Sequence, residues 1–238
     1  MKAVILVGGE GLRLRPLTCN LPKPMVPVAN KPFLEHTIDN LKKHGVDEVI
    51  LAMGYLPDRI RQYFGDGSTL NIRLIYSVED TPLGTGGAVK NAERFLDDTF
   101  IVLNGDIYSD LNLTDMVRLH LRRKAKATIA LTPVEDPTAY GVVEIDSTSR
   151  VKAFIEKPSR ESVTSHLINA GTYVLEPELL DMIPAGVHSM VERGLFPDLV
   201  KQGAPFLGYP SDAYWIDIGT PQDYIRLHRD LLMGKAHV

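Results

Sequence analysis

MKAVILVGGEGLRLRPLTCNLPKPMVPVANKP, residues 1–32, is the stretch that decides the fold. An apolar run at 3–7 ends in Gly8-Gly9-Glu10-Gly11; Arg13 and Arg15 follow at once, and Lys23 stands between Pro22 and Pro24. An apolar strand opening into a glycine-rich turn is how α/β proteins bring backbone N–H groups against phosphate oxygens. The added cations point to highly charged, reacting phosphates. Two familiar phosphate loops are excluded. The dinucleotide pattern G-x-G-x-x-G, started at Gly9, needs glycine where Leu14 sits, and no G-K-[ST] string completes a Walker A loop.

Outward from this stretch the chain alternates strand and helix. Strands are expected at 3–7, 48–53, 72–78 and 99–103, and helices at 32–44, 57–64 and 84–95, with Pro32 in a first turn and Gly45 past an end. Leu34, Ile38 and Leu41 form the apolar stripe of the first helix. This rhythm predicts a mainly parallel sheet with helices on both faces. After Lys126 strand-like runs at 127–132, 141–145, 151–155 and 168–175 dominate, so a mixed or antiparallel extension is expected there. Helices at 178–182 and 191–202, strands at 206–209 and 214–217 and a last helix from Pro221 complete the chain. With no linker-like stretch and no repeat, the expectation is one domain, 1–238, with lobes of about 1–125 and 126–238. Ligands of open α/β sheets bind at the carboxyl ends of strands, which is where 8–23, 79–87 and 104–106 fall.

Composition narrows the class. At 238 residues, 44% hydrophobic and 24% charged, the chain suits one globular α/β unit. No run approaches the ~18 apolar residues of a membrane span, and the N-terminus enters a strand without a signal-peptide layout. The lone Cys19 suits a reducing compartment, so a cytoplasmic location is expected. A net charge of −4 argues against a nucleic-acid partner. The basic run Arg122-Arg123-Lys124-Ala125-Lys126 closes an amphipathic helix, where cations belong.

Several short strings carry chemistry. Leu103-Asn104-Gly105-Asp106 and Tyr214-Trp215-Ile216-Asp217-Ile218-Gly219 each place a carboxylate at a strand end. Two carboxylates together with substrate phosphates suit Mg²⁺; no His/Cys cluster has zinc spacing. Thr81-Pro82-Leu83-Gly84-Thr85-Gly86-Gly87-Ala88 is a glycine-rich turn into a helix, read either as a contact for a flat nucleobase or as an ordinary helix start. Glu156 and Lys157 end a strand, Gly141 opens one, Asn169 offers a hydroxyl partner, and Trp215 could wall a sugar or fill a core.

The strings LVGGEGLRLRPLT, PKPMVPVANKP, EDTPLGTGGA, LNGDI, YGVVE, FIEKP, INAGTYVLEPELL and YWIDIGTPQDY resemble, in this order and across essentially the whole chain, the sugar-nucleotidyltransferases. Within that family they look closest to the guanylyltransferases acting on mannose 1-phosphate. The resemblance implies a Rossmann-like three-layer α/β fold with a mixed, mainly parallel sheet and a small β-rich sugar-binding extension. It implies that GTP and mannose 1-phosphate give GDP-mannose and pyrophosphate. Arg13, Lys23 and Asp106 would be catalytic, and Asp106 and Asp217 would hold Mg²⁺. Leu6, Gly8, Gly9, Gly11, Arg13, Lys23, Asn104 and Gly105 would meet the nucleotide, with Glu79, Gly84 and Thr85 at the base. Gly141, Glu156, Lys157, Asn169 and Trp215 would meet the sugar phosphate. A homo-oligomer is compatible with all of this.

Three departures stand out. Leu12 occupies the family's threonine position before Arg13. In 190–197, MVERGLFP, Gly194 replaces an acidic residue of the guanylyltransferases' usual S-I-E-[KR]-E-V-F-P. Many relatives continue into a left-handed β-helix, and this chain stops at Val238, about where that would begin, as a short form or a truncation. The alternatives in the same class are a heptose 1-phosphate guanylyltransferase and a glucose 1-phosphate thymidylyl- or uridylyltransferase. From another class comes a non-catalytic regulatory subunit that binds nucleotide sugar.

Overall fold

The computed structural model describes residues 1–236. In chain order its strands are β1 (Lys2–Leu6), β2 (Pro27–Val28), β3 (Lys31–Pro32), β4 (Glu48–Met53), β5 (Arg73–Val78), β6 (Phe100–Asn104), β7 (Ile107–Ser109), β8 (Ala127–Pro133), β9 (Gly141–Ile145), β10 (Val151–Glu156), β11 (Leu167–Leu175), β12 (Phe206–Pro210) and β13 (Trp215–Asp217). The α-helices are α1 (Phe33–Lys43), α2 (Pro57–Phe64), α3 (Gly84–Asn91), α4 (Leu113–Arg123), α5 (Leu195–Lys201) and α6 (Pro221–Leu232). Two compact units interleave along the chain: one holds 1–82, 103–111 and the segment from Tyr214, the other 83–102 and 112–213. The expected lobe boundary near residue 125 lies inside the second unit.

In the first unit β1 pairs in parallel with β4, and β4 with β5. Val4 and Ile5 of β1 and Val49, Ile50 and Leu51 of β4 are fully buried. Such unbroken apolar strands are those covered on both faces, as parallel strands are. Pro32 leads into α1, whose Phe33, Leu34, Ile38 and Leu41 are buried, and Gly45, at φ +77°, leaves it. The buried face also takes in Glu35 and His36, which the apolar stripe does not reveal. Their partners explain this: Lys31 lies 3.2 Å from Glu35, the Tyr63 hydroxyl donates to it at 3.1 Å, and His36 Nε2 meets the Val28 carbonyl at 2.8 Å.

The second unit carries the mixed extension. β8 and β11 run antiparallel, as do β9 and β10, while β12 joins β8 in parallel. The rings of Phe154, Tyr173 and Phe206 each lie 5.0–5.4 Å from that of Phe196, a residue of α5. The helix expected over 191–202 starts only at Leu195, because Gly194 adopts φ −115°, ψ −84° and turns occupy the residues before it. The helix expected at 178–182 is a 3-10 segment, and α3 ends at Asn91 before a separate 3-10 turn, Glu93–Phe95. Strands β2, β3 and β7 span two or three residues, too few to show alternation in the sequence. Among the described residues no helix is long and apolar enough to cross a membrane.

One buried polar network sets a pH dependence. His120 is fully buried, with Nδ1 at 2.8 Å from Thr128 Oγ1 and Nε2 at 3.0 Å from Glu176, which also accepts from Thr99 at 2.7 Å. Burial holds the imidazole below its ordinary value, with Glu176 opposing. The unfolded chain therefore takes up a proton near its usual value of about 6.5, before the folded one does. The stability this contributes is present above about pH 6.5 and is lost as the pH falls through the lower, folded value. Thermal melts should show the midpoint dropping from pH 7.5 to 5.5, with a smaller drop in His120→Gln; equal drops in both proteins would remove His120 as the source.

Candidate active site

The first unit assembles its charged centre from four short segments. Val7 N–H donates to the Ala52 carbonyl at 2.8 Å, extending the parallel pairing to the very start of the glycine turn. Gly8 then passes Gly54 so closely that a Cβ on Gly54 would sit 3.1 Å from the Gly8 carbonyl oxygen. Glu79, at the end of β5, lies beside Gly8, its Oε1 3.7 Å from where a Gly8 Cβ would be. Gly9 has open space around it. Gly11, at φ +64°, starts a 3-10 turn, Leu12–Leu14, whose buried Leu14 anchors the loop while Leu12, Arg13 and Arg15 are exposed.

Thr18 fixes that turn. Its hydroxyl, fully buried, donates to the Gly11 carbonyl at 2.7 Å, and its Cγ2 would touch a Gly11 Cβ at 3.0 Å. The residue stands in the string GLRLRPLT, yet nothing in its type or spacing signals a buttressing role. Lys23 follows in a second 3-10 turn between prolines and is 8% exposed.

Gly105 brings in the first carboxylate. Its N–H donates to the Leu6 carbonyl at 3.0 Å, and a Cβ there would lie 2.5 Å from that oxygen, so only glycine admits this approach. Asp106 thereby stands beside the end of β1. The second carboxylate arrives on β13, which pairs antiparallel with β7 in the register Asp217↔Ile107, and Ile218 N–H donates to the Asp106 carbonyl at 3.0 Å. Alternation along β13 turns Ile216 into a buried cluster with Val28, Phe33, Tyr108 and Leu227, and puts Trp215 and Asp217 on the other face.

Lys23 closes the centre. Its Nζ donates to Asp106 Oδ2 at 2.8 Å and lies 3.8 Å from Asp217 Oδ1. Arg13 reaches the same place, since a Cβ on Gly219 would meet its Nη2 at 2.7 Å and Asp217 Oδ1 at 2.9 Å. Burial pushes the Asp217 carboxyl up and Asp106 adds repulsion, against the pull of Lys23 and Arg13. Asp217 Oδ1 and Asn104 Oδ1 are buried and have no hydrogen-bond partner among the described residues. No cluster of three or more His, Cys, Asp or Glu occurs among those residues. Two carboxylates, one with an unsatisfied oxygen, suit a magnesium ion that takes its other ligands from phosphates and water.

The remaining expected residues, Gly84, Thr85, Gly141, Glu156, Lys157 and Asn169, lie in the second unit. The glycines at the start of α3 approach the chain's own backbone: the N–H groups of Gly86 and Gly87 donate to the Ser189 carbonyl at 2.8 and 3.1 Å, and a Gly84 Cβ would meet that oxygen at 2.6 Å. Gly141 faces Glu156 across β9 and β10, where a Cβ would meet Phe154 at 2.7 Å and Glu156 Oε2 at 3.0 Å. Lys157 follows at φ +49°, its N–H held by the Tyr140 carbonyl at 3.0 Å. Asn169 donates to the Tyr173 hydroxyl at 2.9 Å and accepts from Gly171 N–H at 2.8 Å.

Glu192 also belongs to this cluster; in the sequence it matches the glutamate of S-I-E without any role assigned to it there. It is 7% exposed and accepts the Thr85 hydroxyl at 2.6 Å. Burial pushes its carboxyl up, and Glu156 adds to the rise, while hydrogen bonds from Thr85 and Tyr173 oppose it.

Two predictions rest on the loop geometry. Gly219→Ala must displace the Arg13 guanidinium and crowd the Asp217 carboxylate, so nucleoside triphosphate binding measured by calorimetry should weaken about tenfold, the scale of one charge-assisted bond. Unchanged binding would separate Arg13 from the phosphates. Leu12→Thr replaces an exposed side chain (55% exposed), so stability should move by no more than about 0.5 kcal/mol, and triphosphate binding should hold or tighten; weaker binding would show that the leucine is needed.

The profile of the family described as Nucleotidyl transferase matches residues 2–234. The chain is 44% identical over 236 residues to mannose-1-phosphate guanylyltransferase of Mycobacterium tuberculosis, covering 98% of this chain and 65% of that one. It is 43% identical to mannose-1-phosphate guanylyltransferase 1 of Arabidopsis thaliana, covering 99% and 67%, and 39% identical to a UTP–glucose-1-phosphate uridylyltransferase of Synechocystis, covering 98% and 63%. The chain thus spans about two thirds of the length of these curated relatives. Among solved structures, HddC from Yersinia pseudotuberculosis complexed with GMP-PN superposes with a TM-score of 0.82 at 32% identity, covering 97% of this chain and 99% of that one. A UDP-glucose pyrophosphorylase, 20% identical, shares the three-layer α/β fold at a TM-score of 0.85. Matched by the family profile over residues 2–234 and about 40% identical to its curated members over nearly the whole chain, this chain belongs to the nucleotidyl transferase family.

Proposed function

We propose that this chain joins a nucleoside triphosphate to a sugar 1-phosphate, with GTP and mannose 1-phosphate as the pair it favours. The observation that carries the reading is Lys23 held between Asp106 and Asp217 at the end of a glycine-rich turn. The likeness to guanylyltransferases over nearly all of this chain supports the choice of pair.

The chemistry follows from charge. A sugar 1-phosphate has a second pKa of about 6 and is largely dianionic at neutral pH, so its attack on the α-phosphorus needs no general base. What the protein must supply is alignment of two anions and compensation of the charge on the α-phosphate and the departing pyrophosphate. Gly8, Gly9 and Gly11 present backbone N–H groups, and Arg13 and Lys23 bring fixed positive charge. Asp106 and Asp217 would hold Mg²⁺, which supplies further charge neutralisation when bound. The oxygen–phosphorus bond forms as the anhydride bond to pyrophosphate breaks, the electron pair leaves with pyrophosphate, and no group of the protein is covalently modified. We assign Leu6, Asn104 and Gly105 to the nucleotide, Glu79, Gly84 and Thr85 to its base, and Gly141, Glu156, Lys157, Asn169 and Trp215 to the sugar phosphate.

Pyrophosphate release with Mg²⁺, run with GTP, UTP and dTTP against mannose, glucose and heptose 1-phosphates, tests the reading. GTP with mannose 1-phosphate should give the highest kcat/KM, and EDTA should abolish release. The uridylyltransferase relative makes UTP with glucose 1-phosphate the main competitor. Release with no pair, alongside GDP-mannose binding by calorimetry, would replace the enzyme with a non-catalytic nucleotide-sugar-binding subunit.

A further inference from the structure

A chain of directed hydrogen bonds runs through the second unit with Glu192 at its middle. Gly171 N–H donates to Asn169 Oδ1 at 2.8 Å, and Asn169 Nδ2 donates to the Tyr173 hydroxyl at 2.9 Å. That hydroxyl is bonded to Glu192; with its oxygen accepting from Asn169, its proton goes to the carboxylate. From the other side the Thr85 hydroxyl donates to Glu192 Oε2 at 2.6 Å and accepts from Val191 N–H at 3.0 Å. Every donor therefore points towards one buried carboxylate. The Tyr173 ring is fully buried against Phe196, with centroids 5.0 Å apart, so its hydroxyl has little freedom to choose another partner.

We propose that Glu192 is a positioning residue that couples recognition of the base to recognition of the sugar, fixing the entry to α3 through Thr85 and fixing Asn169 through Tyr173. This rests on the assignment of Gly84 and Thr85 to the base and Asn169 to the sugar made above. A buried carboxylate suits the task because it accepts two hydroxyl donors at once. A carboxamide in its place would turn an NH₂ group towards one of them and break the chain on that side. Because Ser189, three residues before Glu192, receives the N–H groups of Gly86 and Gly87, a disturbance at Glu192 has a direct route to the glycine turn.

The test is whether deleting a hydroxyl on one side changes the other. Tyr173→Phe keeps the ring and removes the link on the sugar side; Thr85→Val does the same on the base side. Substrates are GTP and mannose 1-phosphate, or whichever pair the release panel identifies. Tyr173→Phe should raise the KM of the triphosphate about threefold or more, and Thr85→Val that of the sugar 1-phosphate by a similar factor. Glu192→Gln should raise both about tenfold with kcat within about threefold. In the ligand-free protein, Tyr173→Phe should also speed amide exchange across 84–87. Effects confined to the substrate on the altered side, with exchange at 84–87 unchanged, would overturn the coupling. If Glu192→Gln does not fold, the two hydroxyl deletions decide. If the wild-type protein turns over no pair, the functional reading fails by itself, and the exchange measurement still decides the coupling.

Discussion

The structure of the first unit is organised around one ion pair and the space it occupies: Lys23 against Asp106 at 2.8 Å, with Asp217 at 3.8 Å. A lysine 8% exposed cannot sit there without carboxylates to offset its desolvation. The two carboxylates in turn cannot approach one another without a cation between them. Each of the three comes from a different part of the chain, so the centre exists only once β1, β6, β7 and β13 are in register. The glycines at 11, 105 and 219 are the places where that convergence is tightest, and at each a Cβ would strike a neighbour at 3.0 Å or less.

This arrangement leaves one carboxylate oxygen without a hydrogen bond among the described residues. It belongs to Asp217, which remains pushed up by burial and by Asp106 despite Lys23 and Arg13 nearby. In a structural ion pair such an oxygen would be satisfied. Under the proposed function, this oxygen would be a ligand for the cation that accompanies the triphosphate. The first unit thus reads as a device for gathering and cancelling charge rather than for presenting a nucleophile.

Much of this is legible in the sequence, for physical reasons. Short, unbroken apolar runs such as 3–7 and 49–53 read as strands covered on both faces, and the glycines and cations directly after the first admit few uses other than phosphate binding. Asp106 stands out just past an apolar strand, after Asn104-Gly105, and Asp217 at the end of a short one. The rest depends on contacts between residues far apart in the chain. Thr18 looks like any loop threonine until its hydroxyl is seen on Gly11. Glu192 lies within a stretch that reads as helix, whereas the chain turns there and delivers a carboxylate to Thr85, more than a hundred residues earlier. The glycines at the start of α3 are recognisable as a place of close approach, but residue type does not show that Ser189 is what approaches.

Substituting Lys23 is the decisive experiment, because under the proposed function the lysine acts in the reaction as well as in the fold. Pyrophosphate release by Lys23→Gln, measured beside circular dichroism and a thermal melt, should show kcat/KM reduced at least about a hundredfold, the scale of losing one preorganised charge at a reacting phosphate, with the secondary structure retained. A folded Lys23→Gln protein with near-wild-type kcat/KM would contradict the account, leaving Lys23 as a structural counter-ion and the reacting centre elsewhere.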